Sequence, residues 1–138
     1  MLALSIGDTK DFMAKLLKTA SFDDFRVKNV VVDGFVRLEI TAEDPTGWGK
    51  VRGYIFDFIK GNEAPKSIKV VLWADPAAAD VADALALFLN IMFENGKITM
   101  TTGMSKKTFT LDKEGEVAWD GIILQFLSSA QIGYTNNI

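Results

Sequence analysis

The sequence contains neither histidine nor cysteine in its 138 residues. Without histidine, a Ser-His-Asp or Cys-His nucleophile cannot form, because both arrangements need an imidazole as the base. Without cysteine, there are no thiolate ligands for structural zinc or iron–sulfur clusters and no disulfides, which fits a reducing compartment. The chemistry that remains needs Asp or Glu, Lys, Tyr, Ser or Thr, or a metal with oxygen ligands. The sequence shows no coherent cluster of such residues, so we predict no catalytic residue, no metal site and no cofactor, and we favour a non-enzymatic role.

Long apolar runs are also missing. The longest run, residues 84–93, is interrupted by Asn90 and is about half of the roughly 20 residues that a membrane-spanning helix needs. The first residues lack a basic segment followed by a long apolar segment, so we expect no signal peptide. Together these absences predict a cytoplasmic protein that does not engage a membrane.

The composition itself is that of a folded domain. Hydrophobic residues make up 49% of the chain, charged residues make up 24%, and the formal net charge is −3. These values are typical of globular proteins and not of disordered ones. The length fits one domain over residues 1–138.

Apolar residues recur at helical spacing in three segments. This pattern predicts amphipathic helices over residues 9–19, 47–60 and 113–129. Trp48 and Trp119 belong to these apolar stripes and are expected in the core. Residues 53–59 also fit a strand, and this alternative stays open. Asp75-Pro76 supplies an N-cap and a proline at the first helical position, which predicts a fourth helix over residues 77–85.

Two dipeptides are typical of type I′ hairpin turns, in which both central residues need positive φ. Asp33-Gly34 predicts strands at 26–32 and 35–42, with Val31 and Val36 on one apolar face and Lys28 opposite Glu39. Asn95-Gly96 predicts strands at 88–94 and 97–102, with an apolar face and with Glu94 opposite Lys97. In both predictions the hydrophobic register and the charge register agree.

Short apolar runs predict three further strands, at residues 2–6, 68–74 and 107–111. Gly103-Met104-Ser105 is expected to turn the chain before the last of them, with Phe109 and Leu111 facing inward. The final residues, GYTNNI, are expected to fray. The predicted fold class is α+β, with a mostly antiparallel sheet of hairpins or a meander covered by about four helices.

Several blocks of sequence carry a resemblance to a known family. They are TTGMSKKTFTLDK at 101–113 followed by Trp119-Asp120, Ile59-Lys60-Gly61 with Pro65, Leu89-Asn90-Ile91, and Asp11-Phe12-Met13 after the opening strand. Through these blocks the chain resembles a family of small bacterial proteins of uncharacterised function. The resemblance implies no activity, so no catalytic residue is carried over from it.

Residues 101–107 combine small side chains, hydroxyls and two lysines. In a loop, such residues present backbone N–H groups and positive charge to a phosphate. The candidate ligand-binding residues are Thr102, Gly103, Ser105, Lys106 and Lys107. A tight turn with its lysines in solvent explains the same residues and is the more common case.

Basic residues gather on two of the predicted helices. If these helices lie side by side, the residues form a basic strip on an acidic protein: Lys10, Lys15, Lys18, Lys50, Arg52 and Lys60. The order strand–helix–hairpin–helix–strand is also similar to one domain of a DNA sliding clamp, in which helix lysines face DNA. Solvated helix faces explain the same pattern and are the more common case.

The sequence leaves three functional hypotheses. The first is a non-catalytic binding or interaction module that forms a homo-oligomer or binds a protein partner, because exposed sheet edges favour pairing. The second is a DNA-associated, clamp-like scaffold. The third is a small phosphate-ligand-binding protein or a carboxylate-based enzyme that uses residues 101–107.

Overall fold

The fold is an antiparallel sheet with helices, as seen in a computed structural model that describes residues 1–61, 63–108 and 111–137. Its elements are β1 (Ala3–Ile6), α1 (Thr9–Leu17), β2 (Arg26–Asp33), β3 (Leu38–Thr41), α2 (Trp48–Lys60), β4 (Ser67–Ala74), α3 (Pro76–Ala79), β5 (Ala84–Glu94), β6 (Lys97–Lys106), α4 (Glu114–Ser129) and β7 (Tyr134–Asn136). The strand order is β3-β2-β4-β5-β6-β1-β7, and each neighbouring pair is antiparallel. The predicted α+β class is confirmed.

The core lies on one face of the sheet. Directly paired residues of neighbouring strands share a face, and one such row is buried throughout: Val30, Val70, Ile91, Met100 and Leu4. The buried residues of α1, α2 and α4 complete this core, which includes both predicted core tryptophans. Their indole N–H groups donate to backbone carbonyls, Trp48 to Leu16 at 2.7 Å and Trp119 to Phe88 at 3.0 Å.

The other face of the sheet is turned to solvent. Its central row, Asn29, Val71, Asn90 and Thr101, is half-buried in contrast to the fully buried rows opposite. The fold is therefore two layers, a sheet and one layer of helices. No described helix combines the length and the apolarity that crossing a bilayer requires.

Three helix predictions and one hairpin are confirmed. The helices are α1, α2 and α4, so the alternative of a strand at residues 53–59 is wrong. Asn95 and Gly96 have φ of +54° and +73°, as a type I′ turn requires. Glu94 pairs with Lys97, and the predicted register continues along both strands.

The strands on either side of Asp33-Gly34 do pair antiparallel, as β2 and β3, but the predicted two-residue turn between them is wrong, since neither Asp33 nor Gly34 has positive φ. Asp33 continues β2 by pairing with Ser67, and its carbonyl accepts a hydrogen bond from the Lys66 N–H at 2.8 Å. The chain therefore turns later, and Val31 rather than Lys28 lies opposite Glu39.

The predicted apolar face of this hairpin is wrong as well. An irregularity in pairing between Val27 and Asn29 shifts the alternation of β2. Val30 and Val32 are therefore buried in place of Val31, and Val36 is exposed.

The predicted helix over residues 77–85 is wrong beyond its first turn. Asp75 caps α3 and Pro76 opens it as expected, but the helix ends at Ala79. Asp80 and Asp83 then adopt positive φ, and the chain enters β5 at Ala84. From Ala84 onward the chain pairs with β6, and from Leu87 onward with β4 as well, so strand pairing overrides the helix propensity of the alanine-rich segment.

Three predictions near the C-terminal end are also wrong. Residues 103–105 do not turn, because β6 continues through them to Lys106. Lys107, Thr108 and Leu111 lie in bends instead of a strand, Leu111 is 89% exposed, and Phe109 lies outside the described residues. The expected frayed tail includes β7, which pairs with β1.

Candidate interaction surface

The predicted phosphate loop is part of strand β6, and its most buried residue serves the fold. Thr102 is 2% exposed. Its hydroxyl accepts a hydrogen bond from the Leu2 N–H at 2.8 Å and donates to an Asp120 carboxylate oxygen at 2.6 Å. These bonds tie β1, β6 and α4 together, so the Thr102 hydroxyl already has two partners.

The other members of this set do not gather around one point. Strand alternation places Gly103 and Ser105 on the face opposite to Thr102. Lys106 reaches the Asp112 carbonyl at 2.7 Å, and Lys107 is exposed in the bend beyond β6. Strand β6 thus divides these residues between two faces of the sheet. Phosphate binding by them stays a prediction.

The basic strip is partly neutralised. Helices α1 and α2 do lie side by side. However, the Lys15 ammonium lies 2.8 Å from an Asp11 carboxylate oxygen. The Arg52 guanidinium donates hydrogen bonds to both Asp23 carboxylate oxygens, at 2.9 and 3.3 Å. These two basic residues are therefore engaged within the chain, and DNA binding by the strip stays a prediction.

Two other members of the strip, Lys10 and Lys18, lie beside an apolar groove. The groove lies between α1 and α2, with a volume of about 340 Å³. We call it the α1–α2 groove, and its apolar lining residues are Met13, Ala14, Leu17, Phe56, Ile59, Ala64, Pro65, Ile68 and Phe93. Most of these side chains are only half-buried, so the groove presents apolar surface to solvent.

The electrostatic character of the α1–α2 groove is positive. Lys10 and Lys18 are the charged residues among its described lining, and both are exposed. The Lys18 ammonium lies 5.2 Å from the centre of the Phe56 ring, which places its charge over an apolar wall of the groove. The groove thus offers apolar contact together with cations, a combination suited to an amphipathic anion.

A second cavity adjoins the groove, with the acidic residue Glu63 beside apolar residues in its lining. Its volume is about 420 Å³, and it shares Ile59 and Pro65 with the α1–α2 groove. Phe35, which also lines it, is 90% exposed. The apolar surface therefore extends from between the helices to the β2–β3 connection.

Sequence reasoning identified the lysines of the groove but not the groove. The residues on its walls, such as Met13 and Ile59, belong to the apolar stripes of α1 and α2 and were expected in the core. An apolar stripe shows which side of a helix is buried, but not where two helices leave a gap. Phe56 was a usable signal, because it adds an aromatic ring at the edge of the α2 stripe.

The acidic side chains are the residues of this chain that could hold a metal ion. Within the described part of the chain, no group of three or more acidic side chains is placed to hold a metal ion. Asp83, which directly precedes β5, accepts hydrogen bonds from the Thr108 hydroxyl at 2.9 and 3.0 Å. This acidic side chain therefore has a local structural partner.

The chain is similar to a known protein family over most of its length. A sequence model of a family of unknown function (DUF5721) matches residues 37–135. No curated protein and no solved structure matches the chain. The matched range runs from just before β3 into β7, and α1 precedes it.

Proposed function

The chain belongs to the family of unknown function DUF5721, and we propose that it is a non-catalytic protein-interaction module whose α1–α2 groove binds an acidic, apolar segment of a partner protein. The observation that carries this proposal is the apolar groove between two helices with Lys10 and Lys18 at its rim. Contiguous apolar surface bordered by polar residues is a mark of interaction sites. The groove and the adjoining cavity form such a surface.

The shape of the groove favours a helical ligand. An amphipathic helix binds between two helices by inserting apolar side chains at i, i+3, i+4 and i+7. Half-buried Met13, Phe56 and Phe93 offer walls for such anchors.

The spacing of the rim lysines defines the charge pattern of the ligand. Lys10, Ala14 and Lys18 follow one another at every fourth position, so they lie along one line of α1. With a rise of about 1.5 Å per residue, Lys10 and Lys18 are roughly 12 Å apart along the helix. A ligand helix with two carboxylates about two turns apart places one beside each ammonium.

A charge-exchange experiment tests the proposal. The probe is a fluorescein-labelled amphipathic helical peptide with leucines at i, i+3, i+4 and i+7 and two glutamates two turns apart. Its matched counterpart carries lysines at both glutamate positions. Fluorescence anisotropy at low ionic strength should show tighter binding of the acidic peptide, by about tenfold, because two exposed ion pairs contribute about 0.2–1 kcal/mol each.

The variant Lys10→Glu/Lys18→Glu should reverse this preference. Lys50→Glu is the matched control, because Lys50 is exposed on α2 and does not line the groove. It should leave the preference unchanged. Equal affinity for both peptides, or no binding of either, would overturn the proposal. Binding of lauric acid in the groove without binding of the peptide would also overturn it, since the ligand would then be a lipid.

A further inference from the structure

We infer that the solvent-facing side of the sheet binds single-stranded nucleic acid, with its bases stacked on Trp73 and Phe88. We call this side the open face, and its half-buried apolar residues are Val31, Val71, Trp73, Phe88 and Met92. It lies on the side of the sheet opposite to the α1–α2 groove, so it forms a second site that does not depend on the proposed function. The juxtaposition of two neighbouring aromatic rings with the cations that lie over them carries this inference.

The two rings are neighbours, and neither belongs to the core. Trp73 of β4 pairs directly with Phe88 of β5, and directly paired side chains have Cβ atoms roughly 4.5–5.5 Å apart. Both side chains are half-buried but are not among those that pack against the hydrophobic core. The indole N–H groups of Trp48 and Trp119 donate to carbonyls, whereas that of Trp73 makes no hydrogen bond within the described residues and is not buried. Two adjacent aromatic rings therefore lie at the surface.

A glycine leaves room beside these rings. Gly103 of β6 pairs with Phe88 on the other side, and its φ is not positive. A Cβ at this position would lie 3.8 Å from the Phe88 Cβ and 4.0 Å from the Asn90 Nδ2, which are ordinary contacts. Neither the backbone nor the packing therefore requires glycine here. A glycine inside a strand often marks the close approach of a ligand, and the room suits a flat base next to Phe88.

Cations lie beside both rings. The Arg26 guanidinium is 4.9 Å from the centre of the Trp73 ring, and the Lys28 ammonium is 5.8 Å from the centre of the Phe88 ring. Lys69 is exposed on the same side of β4, about 13 Å along the strand from Trp73. Cation–π contacts at exposed positions are weak, so these side chains can turn from the rings to phosphates when bases stack. We call Arg26, Lys28 and Lys69 the face cations.

The carboxylates that share the open face are balanced by other basic residues. Asp33 and Glu39 lie 3.9 and 3.7 Å from the Arg37 guanidinium, and Glu94 is opposite Lys97. Within the described residues, these charges cancel and leave a positive surplus made up of the face cations. The open face therefore has a sign opposite to the net charge of −3 of the whole chain.

Two further carboxylates, those of Asp24 and Asp75, lie toward the helix layer. They line a cavity together with Arg26, and the same cavity is lined by Trp119 of α4. Asp75 also caps α3. The negative charge of this cavity is thus at the edge that faces α4, whereas the Arg26 guanidinium lies over Trp73.

This combination favours a single strand over other partners. A second copy packed face to face would bring the face cations of both copies together. In a duplex, the bases stack on one another and are not available to side chains, whereas the bases of a single strand are. Aromatic side chains accept any base and cations follow the phosphates, so this kind of binding tolerates many sequences.

Fluorescence anisotropy tests the inference with fluorescein-labelled oligo(dT) and oligo(U) of about ten nucleotides and with a DNA duplex of the same length. At low ionic strength, at least one of the single strands should bind at least tenfold more tightly than the duplex. Phe88→Ala should weaken this binding roughly 5- to 150-fold, the loss typical of one stacked base. Tyr54→Ala, which removes an exposed aromatic ring from α2, should leave the affinity unchanged.

The salt dependence reports the phosphate contacts. A plot of the logarithm of the association constant against that of the salt concentration should have a slope of about −2, because each of three cations contributes about −0.7. Lys28→Gln/Lys69→Gln should reduce the magnitude of the slope by about 1.4. The matched control, Lys10→Gln/Lys18→Gln, removes the same charge beside the α1–α2 groove and should leave the slope unchanged. A merely structural role of Lys28 and Lys69 would not produce this difference.

Gly103→Val tests the open face even if Phe88→Ala fails to fold. Valine suits a strand and fills the room beside Phe88, so the protein should stay folded and bind at least about fivefold more weakly. No binding of either single strand, equal binding of the duplex, or undiminished binding by Gly103→Val overturns the inference. A dimer that Gly103→Val disrupts also overturns it, since the open face would then bind a second copy. The proposed function stands or falls separately, because the acidic peptide binds on the other side of the sheet.

Discussion

At the scale of single residues, two glycines of α2 have opposite environments. A Cβ at Gly53 would meet no atom within 4 Å, whereas a Cβ at Gly49 would lie 2.9 Å from an Asp23 carboxylate oxygen. Arg52 holds that carboxylate with two hydrogen bonds, so it is not free to move aside. The two positions therefore differ in tolerance although both are inside the same helix.

We expect Gly53→Ala to raise the free energy of unfolding by about 1 kcal/mol, the difference in helix propensity between glycine and alanine. Gly49→Ala should not raise the free energy of unfolding in this way, because the new methyl group disturbs the Asp23–Arg52 pair. Urea unfolding of both variants measures the difference. Equal stabilisation by the two substitutions would contradict the contact at Gly49.

Thr102 provides a second test at this scale. Thr102→Val keeps the shape of the side chain but leaves the Leu2 N–H and the Asp120 carboxylate without the hydroxyl. A lost buried hydrogen bond of this kind lowers stability by about 1–3 kcal/mol. Thr99→Val, at an exposed position of the same strand, should change stability by less than about 0.5 kcal/mol. Equal effects in urea unfolding would show that Thr102 has no structural role.

At the scale of elements, the Asn95-Gly96 hairpin tests the turn chemistry. Gly96 has φ of +73°, which disfavours a side chain. We expect Gly96→Ala to destabilise the fold by about 1–2 kcal/mol. Asn95→Gly should be tolerated, because glycine accepts positive φ without a steric penalty. A melting temperature that is unchanged in Gly96→Ala would contradict the type I′ turn.

The elements that sequence reasoning predicted correctly are those with agreeing local signals. Around Asn95-Gly96, the turn residues, the apolar alternation and the Glu94–Lys97 charge pair all favoured one register. Asp33-Gly34 had the same local signals, but the turn and the register predicted from it were wrong, because β2 continues along β4 through Asp33. That pairing joins residues more than thirty positions apart in sequence, and no local pattern reports it.

The structures predicted for residues 77–85 and 103–106 were wrong for a related reason. An alanine-rich segment and a Gly-Met-Ser tripeptide are weak local signals, and both were overridden by the pairing of β5 with β6. Tertiary context decides such ambiguous segments. The helices with clear apolar stripes, by contrast, were placed correctly over most of their length.

At the scale of the whole molecule, the candidate site depends on features that arise after folding. The basic residues of α1 and α2 were visible in the sequence, but only the folded chain separates Lys15 and Arg52, which are ion-paired, from Lys10 and Lys18, which flank the groove. Molecular shape, rather than any motif, supports the proposed binding role.

The most direct test of the α1–α2 groove is to map where the acidic amphipathic peptide binds. Titrating it into ¹⁵N-labelled protein should shift amide resonances of α1, α2 and the neighbours of Ile68 and Phe93, with saturation at one site. The amide resonances of the solvent-facing row around Asn90 and Thr101 should not shift. Shifts centred on that row, or no saturable shifts at the groove, would contradict the central claim that the groove is the binding site.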